Sequence, residues 1–169
     1  MAIRKILYLP DARLRTVAKP VVDFDDNLQQ LIDDMFDTMY DAHGVGLAAP
    51  QIGVSLRLSV IDIVGDRQNQ LVIINPEIIA SEGEKQYEEG CLSVPGAYDT
   101  VVRAQKVTVR ALDRTGKPFE VTGEDLFAEC LQHEIDHMNG KLFVDLLSPL
   151  KRALARKKLD KFKRRQASK

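Results

Sequence analysis

An α+β fold is the architecture this sequence predicts, and three observations predict it. Apolar residues recur at helical spacing near the N-terminus, β-branched runs fill the middle from about Leu56 to Val121, and two further helical segments close the chain. Strands and helices do not alternate as in a βαβ protein. The expectation is therefore mostly antiparallel sheets packed around a central helix, with an N-terminal helix before them and a basic C-terminal helix after.

The opening residues read as a short strand, followed by an extended stretch bounded by Pro10 and Pro20. Leu28, Leu31, Ile32, Met35, Phe36, Met39 and Tyr40 then follow three- and four-residue spacing, which puts them on the core face of an amphipathic helix. Asp25 or Asp26 can cap its first turn, and Gly44 stands where the left-handed turn after a helix favours glycine. Strands are expected over 56–63, 71–75, 106–112 and 118–121, with turns at Gly65-Asp66 and Arg114-Thr115-Gly116. A second helix begins near Gly123-Glu124-Asp125 and stops at Asn139-Gly140; a third follows Ser148-Pro149, since proline suits a first helical turn.

A chain of 169 residues with 44% apolar side chains can bury one substantial core, so one domain is expected. Residues 1–149 are read as that domain and 150–169 as a basic helix or tail attached to it. The tail holds ten Lys or Arg against one acid, Asp160, hence +9; with a net charge of −1 for the whole chain, residues 1–149 carry −10. A basic tail on an acidic body points to an anionic partner such as nucleic acid, and a merely solvated helix face is the alternative. No apolar run reaches the ~20 residues needed to span a bilayer, and Met1 to Lys5 lack the apolar stretch of a signal peptide, so a cytoplasmic location without membrane contact is expected. Two cysteines, Cys91 and Cys130, are too few for a disulfide framework and suit a thiolate serving a metal or catalysis.

The second helix contains His133-Glu134-Ile135-Asp136-His137. Residues four apart share a helix face about 6 Å along the axis, so both imidazoles can reach one ion, with Glu134 projecting beside it. Two of the chain's three histidines fall here, which weakens the alternative of a pair of surface histidines. After His137 there is no Glu or His, and the position where a longer zinc-peptidase pattern would place a third histidine is Phe143. A third ligand must come from upstream. Cys91, in Glu88-Glu89-Gly90-Cys91-Leu92-Ser93, is the candidate, with an ordinary buried thiol as the alternative. Cys130 lies about 10 Å of helix rise before His137 and is assigned to packing. A small-residue loop, Gly44-Val45-Gly46-Leu47-Ala48-Ala49-Pro50-Gln51, permits close backbone approach, and His43 beside it is read as a surface residue.

Taken together, Gly44 to Gln51, Glu89-Gly90-Cys91-Leu92-Ser93 and Gln132-His133-Glu134-Ile135-Asp136-His137 resemble, in the same order, the three signature motifs of bacterial peptide deformylases. The likeness runs from Leu14-Arg15 and Lys19-Pro20 through Asn75-Pro76 to Lys141-Leu142-Phe143. It implies removal of the formyl group from the N-terminal methionine of nascent chains, with release of formate. It also implies one divalent metal on Cys91, His133 and His137, Fe²⁺ physiologically with Zn²⁺ or Ni²⁺ able to replace it. Glu134 is then the proton carrier, base first and acid second, and the Gln51 side-chain amide and Leu92 backbone N–H are the oxyanion donors. Gly44, Val45 and Gly46 resemble the edge on which the peptide adds as a strand, and Glu89, Gly90 and Leu126 complete the substrate-binding set. Glu129 departs from the family pattern, which is apolar there; it either lines the pocket mouth or faces solvent. Gln132 and Asp136 either orient the ligands or tie the helix to the sheet. The expected partners are N-formylmethionyl nascent peptides and, through the basic C-terminal helix, the ribosome; no DNA or membrane partner is expected.

Two other readings compete. A zinc endopeptidase with a cysteine ligand would cleave unformylated peptide bonds. A nucleic-acid-binding module with a structural metal would need a closed four-ligand site and would lose its function with residues 150–169, whereas a deformylase would keep activity on small formyl-methionyl peptides.

Overall fold

The computed structural model describes residues 2–168; Met1 and Lys169, the latter counted in the basic tail, lie outside them. Helix α1 (Asp26–Asp41) is followed by strands β1 (Gly46–Ala48), β2 (Leu58–Ile61), β3 (Leu71–Glu82), β4 (Lys85–Cys91), β5 (Val94–Arg103), β6 (Lys106–Leu112) and β7 (Pro118–Glu124). Helices α2 (Asp125–Met138) and α3 (Pro149–Ala167) close the order. Strands β1-β2-β3-β6-β7 form one sheet in that order, β4 and β5 form a separate hairpin, and every strand pair is antiparallel. The α+β expectation holds, with α2 central.

Strand alternation sorts the sheet's two faces. Leu58, Val60 and Ile74 turn toward α1 and pack with Leu28, Ile32, Met35 and Met39. Ile61, Ile73, Val107 and Val109 turn the other way and pack with Leu131, Ile135 and Met138 of α2. A third cluster joins Tyr87 and Val101 of the hairpin to Phe143, Leu147 and, from α3, Ala155 and Leu159. Each fully buried Leu, Ile, Val or Phe contributes roughly 1.5–3 kcal/mol, so the three clusters fix α1, α2 and the hairpin around the sheet. No helix of the described residues is long and apolar enough to cross a membrane.

Three local expectations need correction. Residues 2–7 form no strand: the chain is extended, and its Leu7 N–H donates to the Gln51 carbonyl at 2.7 Å. The left-handed residue after α1 is His43 (φ 58), not Gly44. The His43 N–H donates to the Tyr40 carbonyl and the Gly44 N–H to the Met39 carbonyl, a Schellman stop one residue earlier than glycine usage suggested. The hairpin β4–β5 escaped the strand pattern altogether, because one of its inward positions is Glu89 and Pro95-Gly96 interrupts its second strand. Asp25, one of the two expected candidates, caps α1 by accepting from the Leu28 N–H, and Ser148 caps α3 by accepting from the Lys151 N–H.

Candidate active site

Helix α2 packs across one face of the sheet and also touches β1 at its edge. His133 and His137, one turn apart on α2, meet Cys91, the last residue of β4. The His137 Nε2 lies 3.1 Å from His133 Nε2 and 3.3 Å from Cys91 Sγ. All three donor atoms fall within 4.8 Å of one another. A tetrahedral ion with ordinary nitrogen and sulfur bond lengths needs its donors about 3.3–3.6 Å apart, so the set fits one ion. Cys130 is buried in the core beneath and is not part of the set; burial raises its thiol pKa well above the ordinary value.

The lone pairs are aimed by the residues around them. Glu89 hydrogen-bonds His133 Nδ1, which leaves Nε2 free to act as a ligand. Glu89 in turn takes a bidentate pair from Arg103, both contacts at 2.8 Å, and Arg103 reaches Asp136 at 2.9 Å. Burial alone would raise the Glu89 pKa, but Arg103 and His133 hold it down at about 2. The Glu89 carboxylate, expected among the substrate-binding groups, is thus turned to Arg103 and His133. Gln132 ties α2 to the turn after β5, accepting from the Ala104 N–H at 3.0 Å and donating to its carbonyl at 2.9 Å. Burial works against charge on His133, but hydrogen bonds with Cys91 and Glu89 raise its pKa; burial and the nearby His133 lower that of His137. The His137 Nδ1 is buried without a hydrogen-bond partner among the described residues.

Glu134, 2% exposed, stands beside this set with its Oε1 4.0 Å from His133 Nε2. Its other oxygen accepts from Ser59 Oγ at 2.9 Å. Burial pushes its pKa up to about 7, so one carboxyl can both accept and release a proton near neutrality. Gln51 is held from two sides: the Ala48 N–H donates to Oε1 at 2.9 Å, and Nε2 donates to Ser93 Oγ at 3.1 Å. That pairing fixes the amide orientation and keeps Nε2 3.7 Å from Cys91 Sγ.

These groups open into a cleft of about 570 Å³ whose lining includes Gly44, Val45 and Gly46 on one side, Glu89 and Gly90 on another, and Leu126 on α2. A Cβ on Gly46 would lie 3.1 Å from the Glu134 carboxyl carbon, and one on Gly44 would lie 2.7 Å from Leu92 Cδ1, so both glycines keep the wall thin where it matters. Leu92 lines the same cleft, and His43 sits exposed at its rim. Glu129 is 7% exposed in the cleft wall, not in solvent; burial, the charge of Glu89 and a hydrogen bond with it raise its pKa to about 7. Sequence reasoning missed Ser59, Ser93 and Arg103. Ser59 was detectable as the one polar residue in the apolar run Leu58 to Ile61; Arg103, at the end of an unrecognised strand, gave no signal.

Comparison with known proteins agrees over the whole chain. The polypeptide deformylase family model matches residues 3–153. The peptide deformylase of Pseudomonas aeruginosa is 58% identical over 168 residues, 99% of this chain and all of that one. A crystal structure of a peptide deformylase from Legionella pneumophila superposes with a TM-score of 0.99 at 81% identity, covering 99% of both chains. The Ehrlichia chaffeensis peptide deformylase in complex with actinonin gives 0.90 at 38% identity, covering 98% of both. With a matching family model, close relatives of equal length and a metal-capable HExxH cleft all in agreement, the chain belongs to the polypeptide deformylase family.

Proposed function

We propose a division of labour in which Cys91, His133 and His137 hold one divalent ion, Glu134 carries the proton, and Gln51 with the Leu92 N–H receives the developing oxyanion. The reaction itself follows from the family: the enzyme removes the formyl group from the N-terminal formyl-methionine of nascent polypeptides and releases formate. The assignment of roles rests above all on the meeting of two imidazoles, a thiol and a buried carboxyl at the floor of one cleft. Fe²⁺ is inferred as the physiological ion, with Zn²⁺ or Ni²⁺ able to take its place, since imidazole and thiolate donors suit all three. When bound, the ion supplies Lewis acidity, polarising the formyl oxygen and acidifying water.

The protein's own groups do the rest. Glu134 takes a proton as water adds to the formyl carbon and returns it to the amine nitrogen as the C–N bond breaks. The fixed Gln51 amide offers an N–H without reorganising, and loss of one such donor costs ~10²-fold or more in rate. The peptide adds as a strand along Gly44 to Gly46 with Gly90 facing it; main-chain pairing tolerates varied sequences, while Val45, Leu126 and the wall from Glu129 to His133 receive the methionine side chain. Residues 1–149 supply this chemistry. The basic residues of α3 suit a salt-sensitive contact with ribosomal RNA phosphates, consistent with a cytoplasmic enzyme; no DNA or membrane partner is proposed.

The test is formate release from formyl-Met-Ala-Ser by anaerobically purified protein, beside Glu134→Ala, with metal content measured in both. The expected result is a loss of 10²-fold or more in a variant that still binds one ion. A metal-loaded wild type that releases no formate would overturn the reading.

A further inference from the structure

The edge strand proposed to receive the peptide has little of its own to hold it. β1 is three residues long, begins with glycine, and is reached from the end of α1 through residues 42–45. Its anchor lies on the far side from the cleft. Asp62 directly follows β2, and its N–H donates to the Val45 carbonyl at 2.9 Å. With Gly46 opposite Ile61, that bond adds one rung to the β1–β2 ladder. Main-chain groups alternate in direction along an antiparallel strand, so Val45 is turned to β2 and Gly46 to the open edge.

The rung is fixed by the side chain of the same aspartate. Asp62 is 1% exposed. Its Oδ2 accepts from the Tyr40 hydroxyl and from the Arg67 N–H at 3.0 Å, and its Oδ1 accepts from the Gly65 N–H at 2.8 Å. Burial opposes its charge, but these bonds hold its pKa below the usual value. Tyr40 closes the apolar stripe of α1, with its ring stacked on Phe36 at a centroid distance of 6.2 Å. The Arg67 guanidinium lies 4.1 Å over the other side of that ring, and Gln70 donates to the hydroxyl at 3.1 Å. The Tyr40 carbonyl accepts from the His43 N–H, so Tyr40 holds the near end of the segment before β1 while Asp62 holds its far end. Tyr40, Asp62 and Arg67 all stand outside the cleft lining.

We propose that the Tyr40–Asp62 hydrogen bond, with Arg67 laid over the tyrosine ring, is a clamp that positions the Val45–Gly46 edge for the formylated peptide. The inference rests on the reading of Gly44 to Gly46 as the peptide-binding edge. A peptide that adds as a strand pairs only with N–H and C=O groups already held in register, and an edge that must be ordered at each encounter binds more weakly. Tyr40 and Asp62 are thus positioning residues: they touch no substrate and act through the backbone of Val45.

The test uses metal-loaded full-length enzyme and formyl-Met-Ala-Ser. Tyr40→Phe keeps the ring between Phe36 and Arg67 and removes only the hydroxyl. It is expected to raise KM by about three- to tenfold and leave kcat within about twofold. Asp62→Asn should act in the same direction, and Arg67→Gly, which keeps the N–H and suits the left-handed backbone at φ 65, should raise KM by about twofold. Amide hydrogen exchange reports the edge directly: in Tyr40→Phe the Asp62 N–H should quicken about fivefold or more beyond any change at the Met35 N–H of α1. Unchanged Asp62 exchange, or a change shared equally with Met35, overturns the clamp. Faster Asp62 exchange with a wild-type KM, or with a loss confined to kcat, overturns the proposal by faulting the edge reading instead. Failure of the deformylase reading itself is separately visible, as absence of formate with the wild type.

Discussion

The two faces of the five-stranded sheet carry one helix each, yet they are built for different ends. Against α1 the sheet buries Leu58, Val60 and Ile74 on Met35, Ile32 and Met39, an apolar cluster with the Tyr40–Asp62 hydrogen bond at its edge. Against α2 it buries a similar set, but Ser59 on the strand and Glu134 on the helix face each other through that interface. Beyond it lies a chain of charged and titratable groups, Asp136, Arg103, Glu89 and His133, with Arg103 and Glu89 buried at its centre. The α1 face is a stability device. The α2 face gives up part of that stability to hold polar groups out of water, where burial brings the Glu134 pKa to about 7.

The sharpest way to break this comparison is Arg103→Met. It leaves the Glu89 carboxylate, 4% exposed, without its cation, and removing one partner of a buried pair costs about 3–5 kcal/mol. Glu89 would also hold His133 less firmly, and metal affinity should fall about 10–100-fold. Denaturant unfolding and chelator competition measure the two effects; unchanged affinity in a destabilised variant would reduce Arg103 to a structural role.

Met35→Ala probes the other face. Truncation of this fully buried side chain should cost about 2–5 kcal/mol, while kcat per metal-loaded molecule stays within about twofold. A large fall in kcat would mean that the faces are not separable. A smaller effect is expected from Ser59→Ala, which removes the donor to a buried carboxyl. Its stability cost is about 1–3 kcal/mol, with a several-fold fall in kcat as the orientation of Glu134 loosens.

The smallest expected effect lies at the outer side of α1. Asp34 is buried, which raises its pKa, but bonds from Gln30 and the Ala2 N–H to Oδ1 and two from Arg4 to Oδ2 hold it below the usual 3.8. A lowered folded-state pKa gives stability that is present above the unfolded value and lost as pH falls through the folded one. Asp34→Asn should therefore lower stability at pH 7 by about 1 kcal/mol and flatten the acid limb below about pH 4. Equal acid sensitivity in the two proteins would assign that limb to other carboxylates.

Legibility in the sequence followed how far each residue's role depends on its neighbours in the chain. Helix α1 was read from its spacing because a 3.6-residue period is a local property. The HExxH pair was read for the same reason: two imidazoles one turn apart face one way wherever the helix lies. Cys91 could be nominated only by elimination, together with the family resemblance, since nothing local sends a strand end toward a helix 42 positions later. Hairpin β4–β5 was hidden because its inward Glu89 makes a buried face look polar until Arg103 and His133 are seen around it.

By itself, then, the sequence determined the α+β class, the placing of His133 and His137 on one helix face with Glu134 between them, and the basic charge of the last helix. The last two are written in spacing or composition within about twenty residues, and the class in the order of such local patterns along the chain. Only the tertiary structure decided that Glu89 and Arg103 brace His133, that Ser59 meets Glu134, that Glu129 is buried in the cleft wall, and that Phe162 reaches the cleft. The physical reason is common to all four. A buried polar or aromatic side chain takes its meaning from the partner that satisfies or covers it, and these partners meet only when distant strands and helices have packed.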